Sequence, residues 1–176
     1  MARMRDIKAV QRTVAALLLL LLLHLVSSHF GKRLWLNLTS SEPVGLYRME
    51  KLDRTVKRGE MVVMSIPTGF QSYVYGRKWL PAGWPLLKHV GAVPGDLYCC
   101  ESSTFSINGV IIGPVYATDS DGLPLPRIEG CHPVPQGHFL PVATGLNTSF
   151  DGRYMGPVPL SAVIGLVQPI WTFQTE

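Results

Sequence analysis

A chain of 176 residues, 47% of them hydrophobic, is long enough for one domain with a real core and too apolar to be disordered. The net charge of +4 invites a nucleic-acid reading, but residues 1–12 alone carry +3 (Arg3, Arg5, Lys8 and Arg12 against Asp6), which leaves about +1 for the rest and argues against direct nucleic-acid binding. Gly (17) and Pro (14) make up nearly a fifth of the chain, a bias towards short strands and turns.

The basic cluster precedes an apolar run from Val14 to Val26, interrupted only by His24 and containing the block Leu17 to Leu23. Positive charge ahead of an apolar run is a topogenic pattern. The run is short for a membrane span, which takes about 20 residues, and has the length of a signal-peptide core. Two readings stay open: a retained anchor extended by its flanks, or a leader removed near Ser27 and Ser28. Both divide the chain into residues 1–28, a basic terminus with a membrane or signal helix, and residues 29–176, a single folded unit. Both place that unit outside the cytoplasm, at or near the cytoplasmic membrane and facing the periplasm.

Beyond the leader, β-prone runs bounded by turn residues predict strands at Gly45–Met49, Glu60–Ile66, Leu86–Val93, Leu97–Cys100, Thr104–Ile107, Val110–Ile112, Gly137–Val142 and Ala162–Ile170. Asn108-Gly109 lies between two such runs and predicts a two-residue hairpin. Residues 70–79 read as a short helix or an irregular insert. Residues 113–136, dense in Gly and Pro, read as a surface excursion. The expected class is mainly β with one N-terminal apolar helix. Of the three cysteines, Cys131 is expected to pair with Cys99 or Cys100, leaving one free thiol. No metal or other cofactor is expected, since there is no CxxC and the five histidines are scattered.

Three segments carry chemistry. The first is Asn37-Leu38-Thr39-Ser40-Ser41-Glu42-Pro43-Val44-Gly45-Leu46-Tyr47, where Pro and Gly constrain a turn able to present a serine hydroxyl. The second runs from Lys88 to Asp96. Its lysine interrupts an apolar strand, where desolvation lowers the amine pKa and lets a neutral amine act as a base. The third runs from Asn147 to Val158. In it Ser149, Asp151 and Arg153 alternate and would share one face of an extended backbone. A Ser-His-Asp arrangement using His89 or His138 is weaker, because His89 follows Lys88 on a strand and should face the other way.

Together the segments resemble the signal peptidase family of serine proteases, from about Asn37 to Val167. Lys88 with Pro94-Gly95-Asp96 is similar to that family's lysine box. Arg58-Gly59-Glu60 with Met61-Val62-Val63 is similar to its preceding box, and Ser149-Phe150-Asp151-Gly152-Arg153 with Gly156-Pro157-Val158 to its terminal SxDSR…WGxV box. Gly152 departs from that box, which has Ser there. The serine segment resembles the conjugative-transfer branch, the TraF type, whose motif reads N-x-T-x-S-x-P-x-G-L-Y, more than the S-M-x-P of housekeeping signal peptidases.

The resemblance implies a peptidase with Ser41 as nucleophile and Lys88 as general base. The S-x-P pattern selects Ser41 over Ser40, and a hydroxyl two residues earlier, Thr39, would help form the oxyanion hole. Ser149 would orient the Lys88 amine, supported by Asp151 and Arg153. The implied substrate is a pilin precursor or other exported protein with small residues before the scissile bond, cut or cyclised. The alternatives are a housekeeping signal peptidase, or a non-catalytic anchored scaffold of a secretion channel.

Overall fold

The computed structural model describes residues 2–30 and 34–173. The side chains of residues 2–10, which include the basic Arg3, Arg5 and Lys8, and of residues 27, 29 and 30, which include Ser27 of the expected cleavage region, lie outside the described set. So do residues 1, 31–33 and 174–176, which the expected division into 1–28 and 29–176 includes.

Helix α1 (Ala2–Phe30) opens the chain, and its leucines from Leu17 to Leu23 are exposed all round. The 13 residues from Val14 to Val26 reach only about 20 Å at 1.5 Å per residue, against a hydrocarbon core of about 30 Å. Among the described residues, no helix is long and apolar enough to cross a membrane. The expected membrane-crossing character of this helix is therefore not supported: charged residues occupy its first third and His24 interrupts the remainder.

The body is mainly β, as expected. One sheet contains β1 (Leu34–Asn37), β2 (Val44–Glu50), β3 (Met61–Met64), β4 (Leu86–Ala92), β9 (His138–Val142), β10 (Val158–Pro159) and β11 (Val163–Phe173), in the spatial order β1-β2-β11-β3-β4-β9-β10. A second sheet contains β5 (Leu97–Glu101), β6 (Thr104–Ile107), β7 (Val110–Pro114) and β8 (Gly130–Pro133), in the order β7-β6-β5-β8. All the pairings are antiparallel.

All eight strands read from the sequence are present, with ends shifted by a few residues. Three more were not read: β1, β8 and β10. Asn108 and Gly109 turn between β6 and β7 with φ of 50° and 80°, the pair of positive values that a two-residue hairpin of this hand requires. Residues 68–79 form a 3₁₀ turn (Thr68–Phe70) and a single helical turn, α2 (Gln71–Val74), before an irregular stretch.

Strands β3 and β4 are covered on both faces. Val62, Met64, Val90 and Ala92 join the main core with Phe105, Phe139 and Leu140. Val63 and Leu87 turn the other way, onto Tyr47 and Val167. Gly91 lets β9 close on β4, because a Cβ there would lie 2.8 Å from both Val142 methyl groups.

The excursion after β7 is tied down at two places. Cys99 of β5 and Cys131 of β8 face each other in register and are joined as a disulfide, while Cys100 is buried and free. Neighbouring strand residues point to opposite faces, so only one of the adjacent pair can reach Cys131. The second tie was not read from the sequence. Arg77 donates to Asp119 Oδ2 at 2.6 Å and to the Pro124 carbonyl at 2.7 Å, and its guanidinium lies 4.8 Å from the centre of the Tyr73 ring.

Candidate active site

The turn between β1 and β2 is built around one side chain. Asn37 is buried, and its amide donates to the carbonyls of Thr39, Glu42 and Pro43 at 2.9, 3.0 and 3.1 Å. Its Oδ1 accepts from the Thr39 N–H at 3.2 Å and the Thr39 hydroxyl at 2.8 Å. The hydroxyl of the fully buried Tyr47 donates to the Pro43 carbonyl. Asn37 thus replaces the backbone partners that a tight loop cannot supply to itself. Sequence reading noted the spacing of this segment but missed Asn37 as its scaffold.

This turn presents Ser41 to β4, where Lys88 is 1% exposed and points to the same side as Val90. Lys88 Nζ lies 3.0 Å from Ser41 Oγ and 2.7 Å from Ser149 Oγ. Ser40, the other candidate, is exposed and only lines the cleft. Burial is the main cause that lowers the Lys88 amine from 10.5 to about 8; Asp151 and Glu42 oppose the shift and Arg153 assists it. Such an amine is largely available as a lone-pair acceptor under mildly alkaline conditions.

Ser149, Asp151 and Arg153 come together, but not on a strand as their alternation suggested. Asp151 caps the single helical turn α3 (Gly152–Met155), accepting from the Arg153 N–H at 3.0 Å. An aspartate ahead of a helix start satisfies amide groups that the helix leaves unpaired. Asp151 and Arg153 are fully buried and joined side chain to side chain at 2.9 and 3.0 Å, and Asp151 also accepts from the Ala143 N–H. The Arg153 guanidinium gathers the carbonyls of Asn147, Leu146 and Ser149 at 2.6, 3.2 and 3.3 Å. That fixes the loop from which Ser149 reaches Lys88. Gly152 has a steric reason: a Cβ there would lie 2.5 Å from the Pro141 carbonyl oxygen, so the Ser of the family box has no room.

The box before β3 and the box after β4 meet as well. Arg58 Nε donates to Asp96 Oδ2 at 3.1 Å, and Asp96 accepts from the Val93 N–H at 2.8 Å, which closes the Pro-Gly turn.

Ser41, Lys88 and Ser149 line a cleft of about 570 Å³ together with Trp79, Tyr116 and Leu125. This size suits several residues of an extended peptide. His138 does not join the site, since its ring bonds the Gln136 carbonyl. His89 lies on the other face of β4 from Lys88, as alternation predicts, and bonds Glu42.

Comparison with known proteins places the chain in a family. Residues 7–172 match the family described as signal peptidase, peptidase S26. A conjugal transfer protein TraF from Agrobacterium fabrum is 37% identical over 145 residues, 78% of this chain and 81% of that protein. A plasmid transfer protein TraF from Escherichia coli is 31% identical over 147 residues, 78% of this chain and 82% of that one. A signal peptidase I from Enterococcus faecalis V583 superposes with a TM-score of 0.38 and 18% identity, over 65% of this chain and 98% of its own. A family match over most of the length, with relatives at this identity, leads to one conclusion: the chain belongs to the signal peptidase family, peptidase S26, and is of the TraF type.

Proposed function

We propose that this peptidase is a serine endopeptidase in which Ser41 attacks the scissile carbonyl while Lys88 takes its proton. The observation that carries the reading is the 3.0 Å approach of a fully buried lysine amine to a serine hydroxyl, both lining a peptide-sized cleft. A lysine made basic at moderate pH by burial activates a hydroxyl as a histidine does elsewhere. Ser149 holds one amine hydrogen and so directs the lone pair at Ser41. The Ser41 N–H and the Thr39 hydroxyl stabilise the tetrahedral oxyanion. Lys88 then gives its proton to the leaving amine.

The substrate in this reading is the pilin precursor of a conjugative transfer apparatus, a choice supported by relatives named for conjugal and plasmid transfer. Small residues precede its scissile bond, and the acyl-enzyme is resolved by water or by the pilin's own amine, which closes a ring. The site works on the periplasmic side of the cytoplasmic membrane, a placement with which the Cys99–Cys131 disulfide agrees.

The test is incubation of purified protein with a labelled pilin precursor and mass spectrometry of the product. Hydrolysis adds one water across the cut and cyclisation adds none. An unchanged precursor mass in the presence of active-site-titrated protein would remove the proposal.

A further inference from the structure

Beside this region lies a second carboxylate, Glu42, whose side chain has no solvent exposure. It follows Ser41 directly in sequence, and its partner His89 directly follows Lys88. Glu42 Oε1 lies 3.0 Å from His89 Nδ1, a contact that requires the ring hydrogen on Nδ1. Thr144, on the loop leading to Ser149, completes the group. Its hydroxyl donates to Glu42 Oε2 at 3.1 Å and its N–H to Oε1 at 3.4 Å, while the Gly145 N–H donates to the Ser41 carbonyl at 3.3 Å.

We propose that Glu42, His89 and Thr144 form a positioning triad that holds the Ser41 turn, strand β4 and the Ser149 loop in catalytic register. The inference rests on the proposed function and names residues to which that reading gives no role. Strand geometry explains why a second set exists. Side chains alternate across β4, so Lys88 occupies the face toward Ser41 and Ser149, and His89 the opposite one. The dyad contact alone links the turn to the strand through one long, flexible lysine. The Glu42–His89 bond adds a second link, one residue further along each of the two segments. A buried carboxylate held by an imidazole, a hydroxyl and an amide is a rigid anchor, because each of its bonds has a fixed direction.

The triad also has an electrical consequence. The charged groups acting on Lys88 are Asp151, Glu42 and Arg153, and Glu42 is one of the two that favour its protonated form. Glu42 also faces Tyr47, whose hydroxyl is pushed up first by burial and then by this carboxylate. Losing the Glu42 charge while keeping its shape should therefore make Lys88 a free base at lower pH.

The test compares His89→Ala, His89→Asn and Glu42→Gln with the unaltered protein, using cleavage of a labelled pilin precursor together with an NMR titration of the Lys88 side chain. His89→Ala should lower kcat by roughly 10- to 100-fold with KM unchanged, the scale expected for small misplacement of reacting groups. His89→Asn keeps a donor near the Nδ1 position and should recover most of that loss. Glu42→Gln should move both the alkaline rise of kcat/KM and the Lys88 titration to lower pH. Unaltered kcat in His89→Ala, or an equal loss in His89→Asn, overturns the triad, as does a Lys88 titration that Glu42→Gln leaves in place. If no precursor is cut but the titration moves, the peptidase reading fails and the coupling of Glu42 to Lys88 stands.

Discussion

Ser41 Oγ and Lys88 Nζ stand 3.0 Å apart although 47 residues separate them in the chain. The serine hydroxyl needs a base within hydrogen-bond reach, and the lysine is the titratable group that touches it. Ser41→Ala, Lys88→Ala and Lys88→Arg should each abolish processing of a pilin precursor, with circular dichroism unchanged. Arginine keeps its charge and cannot serve as a base. Ser40→Ala should keep substantial activity, and a dead Ser40→Ala beside an active Ser41→Ala would move the nucleophile by one residue.

The pH dependence follows from the amine. Lys88 must be neutral to accept a proton, and its folded value is about 8. Activity should therefore rise with pH through a limb near that value in kcat/KM, rather than level off near neutrality as with a histidine base. A limb near 6.5 measured on the same substrate would speak for histidine.

The same shift has a cost in stability. An amine at about 8 when folded and 10.5 when unfolded binds fewer protons folded between those values. The penalty for burying it is thus complete below pH 8 and fades as pH rises to 10.5. Its size is on the order of 3 kcal/mol. Lys88→Met should raise the denaturation midpoint at pH 7, and the gap to the unaltered protein should narrow on moving to pH 10. A gap that stays constant over that range would mean the lysine is not desolvated in solution.

Thr39 offers a test of the oxyanion hole. Its hydroxyl rests on Asn37 Oδ1, but the Thr39 N–H also reaches that oxygen. The hydroxyl can therefore turn towards the cleft while Asn37 keeps a donor. Thr39→Val should lower kcat by roughly 10²- to 10³-fold with little change in KM, and Thr39→Ser should be nearly normal. An unchanged kcat in Thr39→Val would leave the hole to backbone groups.

Arg153→Ala would strand the buried Asp151 carboxylate and release three loop carbonyls. Removing one partner of a buried pair typically costs about 3–5 kcal/mol. Chemical denaturation should show a loss of that order, together with a fall in activity as Ser149 loses its support. Arg153→Lys should not restore either, since a single ammonium cannot reach the carboxylate and the carbonyls at once.

What the sequence revealed depended on how local each signal was. The Asn108-Gly109 hairpin and the strands around Val62 and Val90 were legible because turn chemistry and apolar runs are written in neighbouring residues. Strand β8 was not, because Gly130-Cys131-His132-Pro133 is exposed throughout and shows no alternation. Strand β10 is two residues long. At the site, Ser41, Lys88 and Ser149 could be named from motif spacing. The 149–153 segment was misread as extended because its polar residues alternate, although an aspartate before a helical turn is itself a start signal. The bond between Glu42 and His89 joins residues of two ordinary polar types across 47 positions, and nothing local marks it. The expected membrane-crossing helix met a limit of length, a thirteen-residue run broken by His24 against the thickness of a bilayer.

Strand β11 lies between β2 and β3, so within the sheet it alone connects the hairpin that carries Ser41 to the strands that carry Lys88. Among the described residues it is also the last strand in chain order. While the chain is being made, Ser41 and Lys88 both precede the strand that joins their parts of the sheet. Through the sheet, the Ser41 hairpin and the Lys88 strand are therefore joined only once Val163–Phe173 is in place.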